Sequence, residues 1–381
     1  MHIPAVAPLD PSKLVIQLDS TPKPVPHSST LVFGQTFTQH MLTVPWSITS
    51  GWGTPTIKPY GPLALDPSAT VLHYAPTLFE GMKAYKGKDG KTRLYRPELN
   101  MARMNRGAAR MAFPTFEGEV LIELIKKLLE VDERWVPTDP GCSLYIRPTM
   151  IGTRASLGVG PSTEILLYVI CSPVGNYFGK GAKPVSLFAS TQNVRAWPGG
   201  TGAYKFGLNY GATTSPQLEA AQAGYQQILW LFGEDHEITE AGTMNAFIAF
   251  SQNDGTIELC TPPLNDLILP GVTRDSILAL ARDHASGKAK LPGLPDRLVI
   301  SERKVTMGEI REAAANGTLV EVFGSGTAAI VTSVERIGFQ GADIPVPVSG
   351  ADGFGAIAGA LVKRITAIQY GETGSEWSVV V

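Results

Sequence analysis

One lysine in this chain stands where its amine has the surroundings of a nucleophile. Lys205 lies in Trp197-Pro-Gly-Gly-Thr-Gly-Ala-Tyr-Lys205-Phe-Gly-Leu-Asn-Tyr210, between two aromatic residues and with little charge nearby. Desolvation disfavours an ammonium, which lowers a lysine's pKa and frees its amine for Schiff-base chemistry. On this segment alone an exposed loop lysine is the commoner role. The segment has the outline of a P-loop, but Phe206 follows the lysine where magnesium requires Ser or Thr. Glu240 is the matching carboxylate: it shares strand parity with Ile238, so alternation turns it toward an apolar side. An inward carboxylate needs a partner, and a protonated ring nitrogen would serve.

Two turns have the chemistry of anion sites. Leu269-Pro-Gly-Val-Thr273 leads into a helical pattern, and the N–H groups of a helix start bind phosphate. An ordinary Thr N-cap fits the same residues. Phe323-Gly-Ser-Gly-Thr327 follows a strand, and Ala329–Val334 continues as a strand where a dinucleotide fingerprint needs a helix. Its N–H groups and the Thr327 hydroxyl would still hold a phosphate. Arg103, Arg106 and Arg110 share one helix face, either as a basic stripe or with one serving an anion. The HExxE spacing within Glu234–Glu240 lies at a hairpin and reads as a solvated turn. His73 sits in a strand-like apolar setting and reads as structural. No nucleophile elbow, zinc spacing or metal-ligand set is present. Taken together, one lysine, one inward carboxylate, one arginine and two phosphate-type turns are what pyridoxal phosphate requires.

The elements that must position these residues number enough for two domains, at 381 residues. Charged residues are 17%, below the typical ~25%, so much of the surface is uncharged. Forty glycines and 29 prolines imply many tight turns in an ordered chain. A net charge of −2 argues against nucleic acid as a partner. Apolar stretches such as Ile165–Cys171 are far short of the ~20 residues that span a bilayer. Cys142, Cys171 and Cys260 are widely spaced and read as buried thiols in a reducing compartment. The first arginine is Arg93, without a transit or signal pattern before it, so the expected location is cytoplasmic. A trimmed precursor would leave the mitochondrial matrix open.

Strands are expected at Leu31–Phe37, Val71–Tyr74, Lys83–Tyr85, Ser143–Pro148 and Glu164–Cys171, with helices from Pro97 to Met111 and from Glu117 to Val131. Gly-rich Gly175–Pro184 reads as a linker. The boundaries are therefore a domain over 1–174 with a Pro-rich N-terminal arm, a loop over 175–185 and a domain over 186–381. The second domain carries a strand at Val185–Ser190, a helix near Ser215–Ala223 and a meander through Gln227–Phe232, Glu237–Glu240, Ala246–Ser251 and Thr256–Cys260. Asn253-Asp254-Gly255 marks a hairpin, a helix runs from Thr273 to Asp283, and another strand covers Leu319–Phe323. The fold class is mixed α/β.

Several segments, in order along the chain, are similar to those of branched-chain amino acid aminotransferases, fold type IV pyridoxal-phosphate enzymes, in their eukaryotic-type length. They are Leu31-Val-Phe-Gly-Gln-Thr-Phe, Leu78-Phe-Glu-Gly-Met-Lys-Ala-Tyr85, Tyr145-Ile-Arg-Pro148, Gly207-Leu-Asn-Tyr210, Glu240-Ala-Gly-Thr-Met-Asn245, Leu269-Pro-Gly-Val272 and Phe323-Gly-Ser-Gly-Thr-Ala328. The resemblance implies a smaller N-terminal α/β domain and a larger C-terminal domain with a curled, barrel-like sheet. It makes Lys205 the internal-aldimine lysine and proton shuttle, pairs Glu240 with the pyridine nitrogen and Tyr210 with the phenolic oxygen. It gives the phosphate to Arg103, Val272, Thr273 and Thr327, and the substrate α-carboxylate to Thr243 and Ala328. Phe33, Tyr74, Phe79, Tyr145 and Tyr177 would line the side-chain pocket, with Arg147 for the γ-carboxylate of glutamate. Aromatic walls suit an aliphatic side chain, and hydroxyls with an arginine suit a carboxylate.

The implied reaction is ping-pong transamination of leucine, isoleucine and valine with 2-oxoglutarate, in a homodimer. A redox CxxC of mammalian relatives is replaced here by Thr327-Ala-Ala-Ile-Val-Thr332, and Ala285–Pro295 reads as an inserted surface loop. The rival readings are another fold type IV enzyme (a D-amino acid or amine aminotransferase, or aminodeoxychorismate lyase) and a non-catalytic binder of a phosphorylated ligand.

Overall fold

The apolar spacing after Glu117 forms its helix. Gly118–Val131 buries Leu121, Ile122, Leu124, Ile125, Leu128 and Leu129, each worth roughly 1.5–3 kcal/mol of burial. Helix Pro97–Arg110 starts on its proline and buries Asn100, Met101, Arg103, Met104, Gly107 and Ala108. These elements belong to a computed structural model that describes residues 6–175, 183–350 and 352–381. Contacts divide it into two units: one from the described residues of Met1–Tyr177, Tyr204–Leu208 and Ala367–Val381, the other from those of Phe178–Ala203 and Asn209–Thr366.

The first unit is built on a mixed sheet of ten strands among the described residues. Its centre is the long hairpin Ser143–Gly152 with Glu164–Val174, flanked by His40–Ser47 on one side and Met82–Lys86 on the other. Thr77–Phe79 pairs with the far half of Ser143–Gly152. The C-terminal strand Ser378–Val380 pairs with Thr92–Tyr95, which groups the end of the chain with this unit.

Two expected strands are not strands. Leu31–Phe37 has strand-like composition, but Gly34 adopts φ +71° and turns the chain. Val71–Tyr74 lies in the short helix Thr70–Tyr74, anchored by the Thr70 hydroxyl donating to the Gly152 carbonyl at 3.1 Å and ended by Ala75 at φ 53°. Its exposed face carries His73, which is therefore not in an apolar setting; its Nε2 donates to the Pro67 carbonyl at 2.9 Å.

The second unit closes on itself. Glu237–Ala241 pairs with both Gln227–Phe232 and Met244–Ser251, and the ring continues through Leu319–Gly326, Ile330–Phe339 and Val185–Ser190 back to Gln227–Phe232. This six-stranded barrel is the curled sheet expected. Leu187, Leu229, Leu231, Ile238, Ala246, Ile248, Val322, Val334 and Ile337 belong to its buried core. Asn253-Asp254-Gly255 makes the expected hairpin, with Gly255 at φ +80°.

Candidate active site

In the first unit, Phe206 decides where Lys205 goes. Its ring is 2% exposed within the core, and Leu78 pairs with it as an isolated bridge beside Thr77–Phe79. The Phe79 N–H donates to the Lys205 carbonyl at 3.0 Å, and Tyr204 stacks on Phe206 at 5.3 Å. Gly207 has to be glycine, because a Cβ would come 2.5 Å from Thr77 Cγ2. Lys205 is thus held beside strand Thr77–Phe79 at a sheet edge, with Nζ 4.9 Å from the centre of the Phe79 ring.

Phe79 joins four other expected residues. The Arg147 guanidinium lies 4.6 Å from the Phe79 ring and 5.1 Å from that of Tyr145, and Nη2 donates to the Tyr145 hydroxyl at 3.1 Å. Phe33 meets Tyr145 edge-on at 5.0 Å. A Cβ on Gly81 would fall 2.1 Å from the Tyr145 hydroxyl, so glycine makes room for that ring. Phe33, Phe79, Tyr145, Arg147 and Lys205 are therefore one cluster. Tyr74 is 44% exposed on its short helix, its hydroxyl donating to the Leu157 carbonyl. Tyr177 lies outside the described residues.

Next to Lys205 lies a residue that the sequence does not single out. Glu80, fully buried, receives Arg103 Nε at 2.7 Å and Nη2 at 2.8 Å, and the Asn100 amide at 2.8 Å. Burial alone would raise its pKa, but the Arg103 guanidinium, with Lys205 and Asn100, outweighs that and holds the carboxyl below its ordinary value. Of the three arginines on that helix face only Arg103 is buried; Arg106 and Arg110 flank the Tyr204 ring, each at 5.9 Å.

In the second unit Glu240 is 2% exposed, but parity is not the reason. Trp230 pairs with Glu240 and Leu231 with Ile238, so Thr239 is an extra residue in a bulge. The bulge puts Ile238 in the barrel core and turns Glu240 to the other face, with Trp230. There its Oε2 pairs with Arg195 at 3.0 Å, and its Oε1 accepts the Leu269 N–H at 2.7 Å. Asn245, paired with Glu240 across the hairpin, donates to the Leu269 carbonyl at 2.8 Å. Arg195 carries no sequence signal, since its partners Glu240 and Leu267 lie in separate segments. Asn245 closes the segment that begins at Glu240, without its role being legible there.

The same end of the barrel gathers both anion-type turns. Asn245 also pairs with Ser325, and a Cβ on Gly271 would lie 2.0 Å from its Oδ1. The helix Val272–Ala285 begins there with Val272 and Thr273 buried and no side-chain cap. The hairpin turn holding Thr327 and Ala328 ends at Ile330, a β-branched residue at the costly φ of 63°. Thr243 is exposed in the neighbouring turn, its carbonyl 3.9 Å from where a Gly326 Cβ would lie. Ser325 Oγ and Thr332 Oγ1 are buried here without a hydrogen-bond partner. Unused buried hydroxyls, an uncapped buried helix start and a glycine, Gly271, that admits no Cβ fit a phosphorylated ligand. Tyr210 is half-buried, on the short helix Gly207–Gly211.

Residues 77–337 match the family model for amino-transferase class IV. The chain belongs to that family. This class IV aminotransferase is 52% identical over 381 residues to the cytosolic branched-chain-amino-acid aminotransferase of Saccharomyces cerevisiae, covering 99% of this chain and 98% of that one. It is 47% identical to the cytosolic mouse enzyme of the same name, over 96% of this chain and 92% of the other. Its fold is shared with the branched-chain amino acid aminotransferase of Thermobaculum terrenum in its PLP-form, at a TM-score of 0.68 and 20% identity, covering 91% and 99% of the two chains. Among the aminotransferase's described residues no helix is long and apolar enough to cross a membrane.

Proposed function

We propose that this aminotransferase moves amino groups between branched-chain L-amino acids and 2-oxoglutarate, using pyridoxal phosphate held by Lys205. One observation carries the substrate reading: an amine 4.9 Å from an aromatic ring that also stacks a guanidinium. Leucine, isoleucine and valine pack their side chains on Phe33, Phe79 and Tyr145, with Tyr74 as a further aromatic. Glutamate brings a γ-carboxylate that Arg147 and the Tyr145 hydroxyl bind instead. One pocket thus serves both halves of a ping-pong exchange.

Pyridoxal phosphate, when bound, supplies an electron sink for the charge left when the substrate's α-proton departs. Lys205 Nζ takes that proton and returns it. Glu240, kept as an acceptor by Arg195 and the Leu269 N–H, keeps the ring nitrogen protonated. Tyr210 donates to the phenolic oxygen. Arg103, the N–H groups of Val272 and Thr273, and the Thr327 hydroxyl bind the phosphate, and Thr243 and Ala328 take the α-carboxylate. The enzyme works as a homodimer in the cytoplasm.

The test is a panel of amino donors with 2-oxoglutarate as acceptor, read with the absorbance of the bound cofactor. Leucine, isoleucine and valine should bleach the cofactor band and turn over at rates at least about tenfold above D-alanine, a difference of about 1.4 kcal/mol. Preference for D-alanine, or a static spectrum with every donor, would refute the reading.

A further inference from the structure

Glu80 and Arg103 form an ion pair whose burial needs a reason. The side chains are 0% and 6% exposed, and taking two such charges out of water costs several kcal/mol each. Apolar residues of the same volume would stabilise the core as well or better. The pair is also more ordered than stability requires. Two parallel bonds tie Arg103 Nε and Nη2 to the two Glu80 oxygens, and a guanidinium is planar, so they define the plane in which Nη1 lies.

The carboxylate is itself fixed. Asn100, one helical turn before Arg103, donates to Oε2 at 2.8 Å and to the Gly81 carbonyl at 3.3 Å. The Gly81 N–H donates to Oε2 at 3.2 Å, and the Glu80 N–H donates to the Pro148 carbonyl at 2.8 Å, which locks the backbone to the central hairpin. Glu80 is thus positioned by the helix, the central hairpin and its neighbour Gly81, and in turn positions one side chain.

We infer that Glu80 is a positioning residue: its carboxylate holds the Arg103 guanidinium in the one plane that lets Arg103 bind the cofactor's phosphate. The inference rests on the reading above that gives the phosphate to Arg103. Glu80 also sets one negative charge against the two cations Arg103 and Lys205.

The experiment compares the apo protein's affinity for pyridoxal 5′-phosphate and for pyridoxal, which lacks the phosphate. Glu80→Gln should weaken the phosphate form by about tenfold or more, the worth of a charge-assisted bond, while pyridoxal binds as in the wild type. In an Arg103→Met background the same change should have no further effect, because there is no guanidinium left to orient. An equal loss for both ligands, or a loss that persists with Arg103→Met, makes Glu80 merely structural and overturns the inference. If Arg103→Met alone leaves the affinity for pyridoxal 5′-phosphate intact, the underlying assignment of Arg103 fails, and the inference with it. Glu80→Asp carries the test should Glu80→Gln not fold, since it keeps the charge and withdraws it by one methylene. The inference then requires a loss confined to the phosphate form; wild-type discrimination in Glu80→Asp overturns it.

Discussion

Single side chains in this protein owe their chemistry to partners far away in sequence. Glu240 is legible as an inward carboxylate, yet the alternation rule that points to it puts it beside Ile238, and the bulge at Thr239 moves it to the opposite face. What keeps it there is Arg195, 4% exposed and tied to the carbonyls of Gly202 and Leu267, both at 3.3 Å. Removing one member of a buried pair leaves the other's charge without its counterion, which typically costs about 3–5 kcal/mol. Arg195→Met should therefore lower the unfolding free energy measured in urea by that amount. The double variant Arg195→Met/Glu240→Leu should recover most of it. A single variant as stable as the wild type would show that the pair does not act as a unit.

At the scale of elements, helices with apolar stripes are legible and edges are not. Pro97–Arg110 and Gly118–Val131 follow from proline placement and from spacing. Leu31–Phe37 and Val71–Tyr74 have strand residues but no ladder to join, so turn and helix geometry win. Glu321 accepts the Ala358 N–H at 3.0 Å at the start of helix Ala356–Gln369, and a Cβ on Gly355 would overlap its Oε2. Burial pushes its carboxyl up to about 7 from 4.5, against the N–H groups of Ala358 and Ile357. The folded chain therefore holds a proton that the unfolded chain releases between those two values. Stability from this group is full below about pH 4.5 and falls as pH rises to about 7, by about 3 kcal/mol in all. Glu321→Gln should flatten that slope and be the more stable form at pH 8, as read from urea midpoints at pH 5 and pH 8. Parallel pH profiles for the two proteins would exclude this role.

For the molecule as a whole, ligand linkage gives the broadest test. A cofactor that binds only the folded state stabilises it by about 2.7 kcal/mol at a hundredfold excess over Kd. Pyridoxal phosphate should thus raise the thermal midpoint by several degrees, and Lys205→Ala should reduce that rise and abolish turnover. No shift in the wild type would contradict the cofactor assignment. The amino-acid sequence by itself determined the residue types of the chemistry, namely one lysine among aromatics, one carboxylate and two glycine-rich turns, because local propensity and turn geometry act over a few residues. It also determined the mixed α/β class, since the apolar periods of helices and strands are local. Tertiary structure alone decided that Phe206 pins Lys205 to a sheet edge beside Phe79, that a bulge turns Glu240 toward Arg195, and that Glu80 orients Arg103. Those choices depend on strand register and on the burial of paired charges, and both are set only when distant segments pack together.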